Sequence, residues 1–390
     1  MPFAVNAEVA RIEAPPIIEA QSWIRPGARN RALLNLCQAV PSYPPSELLD
    51  AEVARLSGVP GTSLYTDIFG IAELRGAIAA HMSEDYRGDI AADEVCVTAG
   101  CNQAFAASIM ALARHGDNVI VPVPYFFNHT MWLGMLGIEA RFIPAFAGGN
   151  PWPLARDAAS LIDGRTRAIL LCSPNNPSGA IYPPQVIDAF FDLAVQRGVA
   201  LVIDETYKDF RADPSPPHGI FGRGDWQQGF VQLYSFSKAY SMTGYRVGSI
   251  IGPQGFLVEI EKILDCMSIC APHISQRAAL FGLASLDAWK REKIALMRSR
   301  LEALRSAFRR PALRYTLESS GALFGYVRHP FADEPAKQVA MRLAGDHDVL
   351  CLPGSMFGPG QERHLRIAFA NAEAGDMETL VDRLLESQGS

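Results

Sequence analysis

Residues 199–205, Val199-Ala200-Leu201-Val202-Ile203-Asp204-Glu205, form an apolar run that ends abruptly on two carboxylates. A run apolar at every position, with no alternation, suits a strand covered on both faces, as in parallel-type sheets. Flanking segments repeat the pattern. Arg167–Ser173 carries AILLC and Arg246–Gly252 carries VGSII, while Glu94–Thr98, Asn118–Val123, Ala140–Pro144 and Phe230–Ser235 read as further strands. Helical patterns lie between them at Gly70–Tyr86, Asn102–His115 and Pro183–Arg197, the last opened by prolines and stopped by Gly198. Strands alternating with helices predict an α/β domain whose seven strands form a mostly parallel sheet flanked by helices.

The texture changes further on. Ser275 to about Arg310 reads as one long helical region. It is followed by strands at Arg314–Glu318 and Ala322–His329, a helix near Ala336–Ala344, strands at Val349–Leu352 and His364–Ala370, and a closing helix. This predicts a smaller α+β domain. The proline-rich head (Pro15, Pro16, Pro41, Pro44, Pro45) reads as an extended arm lying over it. The expected division is an arm over 1–45, a large domain over 46–285 and a small domain over 286–390. At roughly 150 residues per domain, a chain of 390 residues agrees with two or three units.

Composition excludes several classes. Hydrophobic residues at 49% and charged residues at 19% describe an ordinary globular chain, so disorder and collagen-like order are excluded. Lys+Arg 35 against Asp+Glu 41 gives a net charge of −6, without the basic excess or stripe of a general nucleic-acid binder. The longest mostly apolar stretch, Ala104 to Ala113, is interrupted by Ser108 and falls short of the roughly 18 to 20 residues a membrane helix needs. The start, MPFAVNAEVARIEAPP, lacks a basic segment leading into an apolar block, so a cytoplasmic protein without a signal peptide is expected. The 7 cysteines are scattered and none stands in a C-x-x-C pair, while the 8 histidines form no metal-binding pattern. Reduced cysteines acting as small hydrophobes, and no metal site, are the expectation.

Chemistry gathers where the expected strands end. Ser235-Phe236-Ser237-Lys238 follows the strand Phe230–Ser235, and Asp204 ends the run above. Tyr207 lies three residues on, and Pro174-Asn175-Asn176-Pro177-Ser178-Gly179 closes the strand Arg167–Ser173 with a rigid turn that presents an amide. A carboxylate at the end of a doubly covered strand is costly unless a cation or donor meets it. In open α/β sheets ligands bind at this carboxyl edge. An amine, a buried carboxylate, a phenol and an amide together suit pyridoxal phosphate: the lysine condenses with its aldehyde, the aspartate keeps its ring nitrogen protonated, and Tyr and Asn bond its phenolic oxygen. For the phosphate, Ala99-Gly100-Cys101-Asn102 opens a helix after a strand, and Arg246 and Ser235 offer a guanidinium and a hydroxyl.

These residues resemble the class I/II aminotransferases, the fold-type I pyridoxal-phosphate enzymes. The resemblance rests on SLYTDIFGIAELR at 63–75, VTAGCNQA at 97–104, SPNNPSG at 173–179, VIDETY at 202–207, SFSKAYSMTGYRVG at 235–248 and LCLPGSMFGPGQERHLRIAFA at 350–370. It implies that Lys238 carries the cofactor and moves the proton, that Asp204 pairs with the ring nitrogen, and that Asn176 and Tyr207 meet the phenolic oxygen. It further implies that Gly100, Cys101, Asn102, Ser235, Ser237 and Arg246 surround the phosphate, and that Phe126, with Tyr125 as the other choice of register, stacks on the ring. Tyr65 would reach the phosphate of a neighbouring subunit in a homodimer with shared active sites, and Arg366 would grip the substrate carboxylate. The implied activity is transfer of an amino group between an L-amino acid and a 2-oxo acid, in ping-pong fashion through pyridoxamine phosphate.

One departure stands out. Relatives carry L-x-x-G-x-P in the arm, whereas here Leu36-Cys37-Gln38-Ala39-Val40-Pro41 puts Ala39 beside the substrate position. The alternative on the same residues is a lyase, such as a C–S β-lyase or an aminocyclopropane-carboxylate synthase, or a decarboxylase. A regulator would need an attached DNA-binding module, and a nucleotide hydrolase needs a P-loop that does not occur.

Overall fold

The protein is described here by a computed structural model that covers residues 3–25, 31–146 and 149–389. Its strands, in chain order, are β1 (Leu34–Asn35), β2 (Val95–Thr98), β3 (Asn118–Val123), β4 (Glu139–Pro144), β5 (Thr166–Cys172), β6 (Ala200–Asp204), β7 (Phe230–Ser235), β8 (Gly248–Ile251), β9 (Thr316–Gly321), β10 (Phe324–Arg328), β11 (Val349–Leu350), β12 (Leu352–Pro353) and β13 (His364–Ala368).

The apolar runs do form one sheet, of 7 strands in the order β2-β8-β7-β6-β5-β3-β4. Strands β4, β3, β5, β6 and β7 are parallel neighbours, and β8 runs against both β7 and β2. Alternate side chains feed two cores. Leu201 and Ile203 of β6, with Ile169 and Leu171 of β5, pack on one face, and Val202, Ala168 and Leu170 pack on the other. Helices Ala72–Tyr86, Cys101–Leu112 and Pro184–Arg197 cover these faces near the expected positions.

A second sheet, β12-β13-β10-β9, is antiparallel throughout, and β1 pairs in parallel with β11. The β1 pairing carries the head of the chain into this region: Leu36 N donates to the Leu350 carbonyl at 2.7 Å, and Ala368 N donates to the Leu36 carbonyl at 2.9 Å.

Three local expectations are corrected. The long helical region is two helices, His273–Ser285 and Asp287–Ala307, that break at Leu286. Leu286 sinks into the core of the large sheet, whereas Leu301 and Leu304 further along pack into the core of the small one, so a single straight helix would not serve both. The head is not simply extended, because Pro16 starts the helix Pro16–Ser22 from its first position, where its missing N–H costs nothing. Helices Glu47–Ser57, Phe127–Met135 and Gln254–Ser268 were also not anticipated. Strand edges shift slightly, and Arg246 precedes β8 in a left-handed conformation (φ 53°) rather than lying within the strand.

The helix Asp287–Ala307 bridges the two sheets. Lys290 Nζ lies 3.6 Å from Asp209, which accepts from the Tyr234 hydroxyl of β7 at 2.8 Å. Further along, Arg300 donates to the Ala370 carbonyl at 2.7 Å and to Glu373 at 2.6 Å. The turn after β5 makes a second bridge. Gly179, at φ 69°, lies so close to β9 that a Cβ there would fall 2.4 Å from Gly321 N and 2.7 Å from Gly321 O. Gly179→Ala therefore adds a backbone clash to a left-handed conformation that alone costs roughly 1–2 kcal/mol. The thermal midpoint of this variant should fall by at least roughly 2 °C; an unchanged midpoint in a melting experiment would contradict this packing.

Candidate active site

The carboxyl ends of the parallel strands converge on a cavity of about 540 Å³. Cys172 of β5 and Asp204 of β6 are register partners, and Ser235 of β7 pairs with Gly248, which also faces Thr98 of β2. Because β8 is antiparallel, its beginning lies at this same edge and delivers Arg246 there.

Asp204 is buried and surrounded by donors. His129 Nε2 stands 3.1 Å from Oδ2, Thr206 N donates to Oδ1 at 3.0 Å, and the Cys101 thiol donates to Oδ1 at 3.5 Å. Burial alone would raise its pKa, but His129 and Thr206 outweigh that and hold the carboxyl below the usual range. It is therefore an anion at neutral pH. The neighbouring Glu205 faces the other side of the sheet, where Tyr86, Gln232 and His218 meet it, and it takes no part in the cavity.

Lys238 sits on the short helix Phe236–Ala239 directly after β7, and its Nζ donates to the Ala39 carbonyl at 2.8 Å. Burial, with Arg246 and Arg366 nearby, lowers its pKa to about 8. Arg366 of β13 is buried between aromatic rings, its guanidinium carbon 5.5 Å from the Phe324 centroid and 5.0 Å from that of Phe357. It donates to Asn176 Oδ1 at 3.1 Å and to the Cys37 carbonyl. Among the described residues it has no carboxylate partner, and its Nε has no hydrogen bond. Burial lowers its pKa to about 10, still well above neutrality. A buried guanidinium with open donor capacity is arranged to receive an anion.

The remaining anticipated residues fall in three places. Tyr207 lines the cavity with its ring edge-on to Phe324 at 5.1 Å, and burial pushes its phenol pKa upward. Cys101 and Asn102 line the cavity at the start of the helix Cys101–Leu112, and Gly100 (φ 84°) leaves room for Arg246, whose Nη2 would lie 2.3 Å from a Cβ at that position. Ser235 accepts from Ser237 N at 3.2 Å, and Arg246 donates to Ser237 Oγ at 3.5 Å and to the Thr243 carbonyl at 3.0 Å. Phe126 lines the cavity, whereas Tyr125 stacks on Phe142 at 5.3 Å away from it. Ala39 lines it too. Tyr65 does not, and is 76% exposed on the surface.

Several residues of the site escaped the sequence reading. His129 stands on the helix Phe127–Met135 one turn after Phe126, with their rings edge-on at 5.2 Å. The F-x-x-H spacing at the helix start was the available signal, because a buried imidazole needs a polar partner. Thr206, Gln38 and Asn128, and Pro15 and Ile17 from the head of the chain, also line the cavity. The cysteines are free, and Cys266 is the exposed one.

Comparison with known proteins agrees with this architecture. Residues 31–384 match the family described as aminotransferase class I and II. The chain is 31% identical to the arginine–pyruvate transaminase of Pseudomonas aeruginosa over 83% of this chain and 81% of the relative. It is 28% identical to an aromatic aminotransferase of Arabidopsis thaliana over 90% and 88%. The crystal structure of the aspartate aminotransferase of Thermotoga maritima superposes with a TM-score of 0.88 at 26% identity, covering 99% of this chain and 100% of that one. The chain belongs to the class I and II aminotransferases. It is an enzyme that transfers amino groups, built on fold-type I.

The lowered pKa of Lys238 has a direction that can be tested. Folding disfavours its protonated form, so that penalty is present below about pH 8 and is relieved as pH rises from there through the ordinary lysine value of about 10.4. Labelling the ligand-free protein with an amine reagent, read by mass spectrometry, should show half-maximal reactivity of Lys238 near pH 8. A midpoint above pH ~10 would show that burial leaves the amine unperturbed.

Proposed function

We propose that the enzyme is pyridoxal-phosphate-dependent and moves an amino group between an L-amino acid and a 2-oxo acid. The observation that carries this reading is one cavity holding Lys238, the buried anion Asp204 and the guanidinium of Arg366, which among the described residues has no carboxylate partner. The residues present fit the cofactor. Lys238 offers an amine whose pKa of about 8 leaves part of it neutral at physiological pH. Cys101 and Asn102 at a helix start, with Arg246, Ser235 and Ser237, would hold the phosphate. Asn176 and Tyr207 would meet the phenolic oxygen, and Phe126 would lie against the ring.

When bound, pyridoxal phosphate supplies an aldehyde for the amine and a ring that takes up the electron pair from the substrate's Cα. Asp204, held ionised by His129 and Thr206, would keep a positive charge on the ring nitrogen. Arg366 would clamp the substrate carboxylate and fix which Cα bond faces the chemistry. Lys238 Nζ would take the proton from Cα and return it elsewhere, as base and then acid.

The relatives are named for aromatic, aspartate and arginine donors, and all are transaminases, which favours transfer over the lyase alternative. In this reading the protein works in the cytoplasm as a homodimer, with Tyr65 of each subunit serving the other's phosphate, and residues 1–45 form an arm associated with the small domain 286–390, beside the large domain 46–285. The pairing of β1 with β11 supports placing the arm with the small domain.

The purified protein supplied with pyridoxal phosphate should show a spectral change on adding an amino acid that a 2-oxo acid reverses. Release of pyruvate and ammonia instead would make it a lyase. Lys238→Ala should lower turnover by at least roughly 10²–10⁴-fold. Asp204→Ala should slow the chemical step with less effect on KM, and Arg366→Ala should mainly raise KM for carboxylate substrates. Near-normal kcat in Asp204→Ala would remove the electronic role given to that carboxylate.

A further inference from the structure

Building on the pyridoxal phosphate reading, we propose that Asp209 is a positioning residue. It anchors the turn that carries Tyr207 to β7, and so sets where the Tyr207 hydroxyl meets the cofactor. Asp209 does not line the cavity. It lies in the short turn Lys208–Phe210, two residues after Tyr207, with its side chain only 5% exposed. Its carboxylate accepts from the Tyr234 hydroxyl at 2.8 Å and lies 3.6 Å from both Lys208 Nζ and Lys290 Nζ. Tyr234 stands on β7 immediately before Ser235, and β7 is the parallel neighbour of β6. One carboxylate thus joins the chain leaving β6, where Tyr207 sits, to the end of the adjacent strand.

The charges around Asp209 balance within the protein. Lys208 also pairs with Asp85 of the helix Ala72–Tyr86, so two lysines meet two carboxylates. Each ammonium also lies over a ring, Lys208 over Tyr234 at 5.2 Å and Lys290 over Tyr240 at 5.4 Å. His81 Nε2 stands 3.5 Å from Asp85, and burial lowers the pKa of that imidazole. His81, Asp85 and Asp209 come close enough together to suggest a metal site, but the Lys208 ammonium already serves both carboxylates. Burial alone would raise the pKa of Asp209. Lys208, Lys290 and the Tyr234 hydroxyl outweigh it and hold the carboxyl well below the usual range. A buried anion paired in this way tolerates little displacement, because moving it leaves a buried charge uncompensated. The turn is therefore fixed at its centre, and Phe210 N closes it on the Tyr207 carbonyl at 3.0 Å.

A hydrogen-bond donor on the phenolic oxygen of pyridoxal phosphate favours its ionised form, and so lowers the pH at which the visible spectrum of the loaded enzyme changes. Spectral titration against pH therefore reads how well Tyr207 is placed. Tyr207→Phe should raise the midpoint by roughly one unit. Tyr234→Phe keeps every charge and the ring beneath Lys208 but releases Asp209 from β7. It should raise the midpoint by about half a unit or more. Asp209→Asn should act in the same direction, and if that variant does not fold, Tyr234→Phe carries the test alone. In the double variant Tyr207→Phe/Tyr234→Phe the second change should add no further shift, because its effect passes through Tyr207. A midpoint that Tyr234→Phe leaves unmoved while melting temperature falls marks a merely structural contact and overturns the positioning role. Shifts that simply add in the double variant, or an unmoved midpoint in Tyr207→Phe, overturn it too, and all three leave cofactor binding standing. Wild-type protein that takes up no pyridoxal phosphate overturns the cofactor reading and the positioning role together.

Discussion

The ionised carboxyl of Asp204, buried at the end of a strand that is itself covered on both faces, is the group the surrounding structure is arranged to hold. Left alone there, it would take up a proton or prevent β6 from packing. Two helices remote in sequence and the adjoining turn supply what it needs: the helix after β3 brings His129, the helix after β2 brings the Cys101 thiol, and the turn after β6 brings the Thr206 amide. Glu205 repeats the problem on the opposite face and receives an independent solution from Tyr86, Gln232 and His218. One strand end thus organises both faces of the sheet, and only the Asp204 side opens on the cavity.

The second organising group is Arg366. It belongs to the small antiparallel sheet, yet its partners are Asn176, from the turn after β5, and the carbonyl of Cys37, from the head of the chain. The close approach of Gly179 to Gly321 holds that turn against β9, so Asn176 and Arg366 are located by backbone packing as well as by their own bond. The head is placed by its β1–β11 pairing and returns Ala39 to Lys238. The cavity is therefore walled by the large sheet, the small sheet and the arm together.

Much of this was legible in the residues themselves. Unbroken apolar runs such as AILLC and VALVI identify doubly covered strands because solvent-facing strands alternate, and the chemistry-bearing residues sit at their ends, where the backbone leaves the sheet. The break at Leu286 was not legible: both flanking helices have sound helical patterns, and what separates them is that each serves a different core. His129 was missed because its role depends on a helix packing over the end of β6, a long-range relation that local spacing does not carry. Ile17 was hidden for a similar reason. The proline-rich head reads as extended, and only the helix that Pro16 initiates turns that side chain inward.

The antiparallel course of β8 has a further consequence. Since it delivers Arg246 from a strand's beginning while its neighbours contribute from their ends, the groups facing the cavity come from positions as distant as Ile17 and Arg366. The groups proposed for the cofactor lie between Cys101 and Arg246, whereas Ile17, Ala39 and Arg366 come from the two ends of the chain. A molecule that touches both sets binds the finished tertiary arrangement and, by mass action, shifts the unfolding equilibrium toward it.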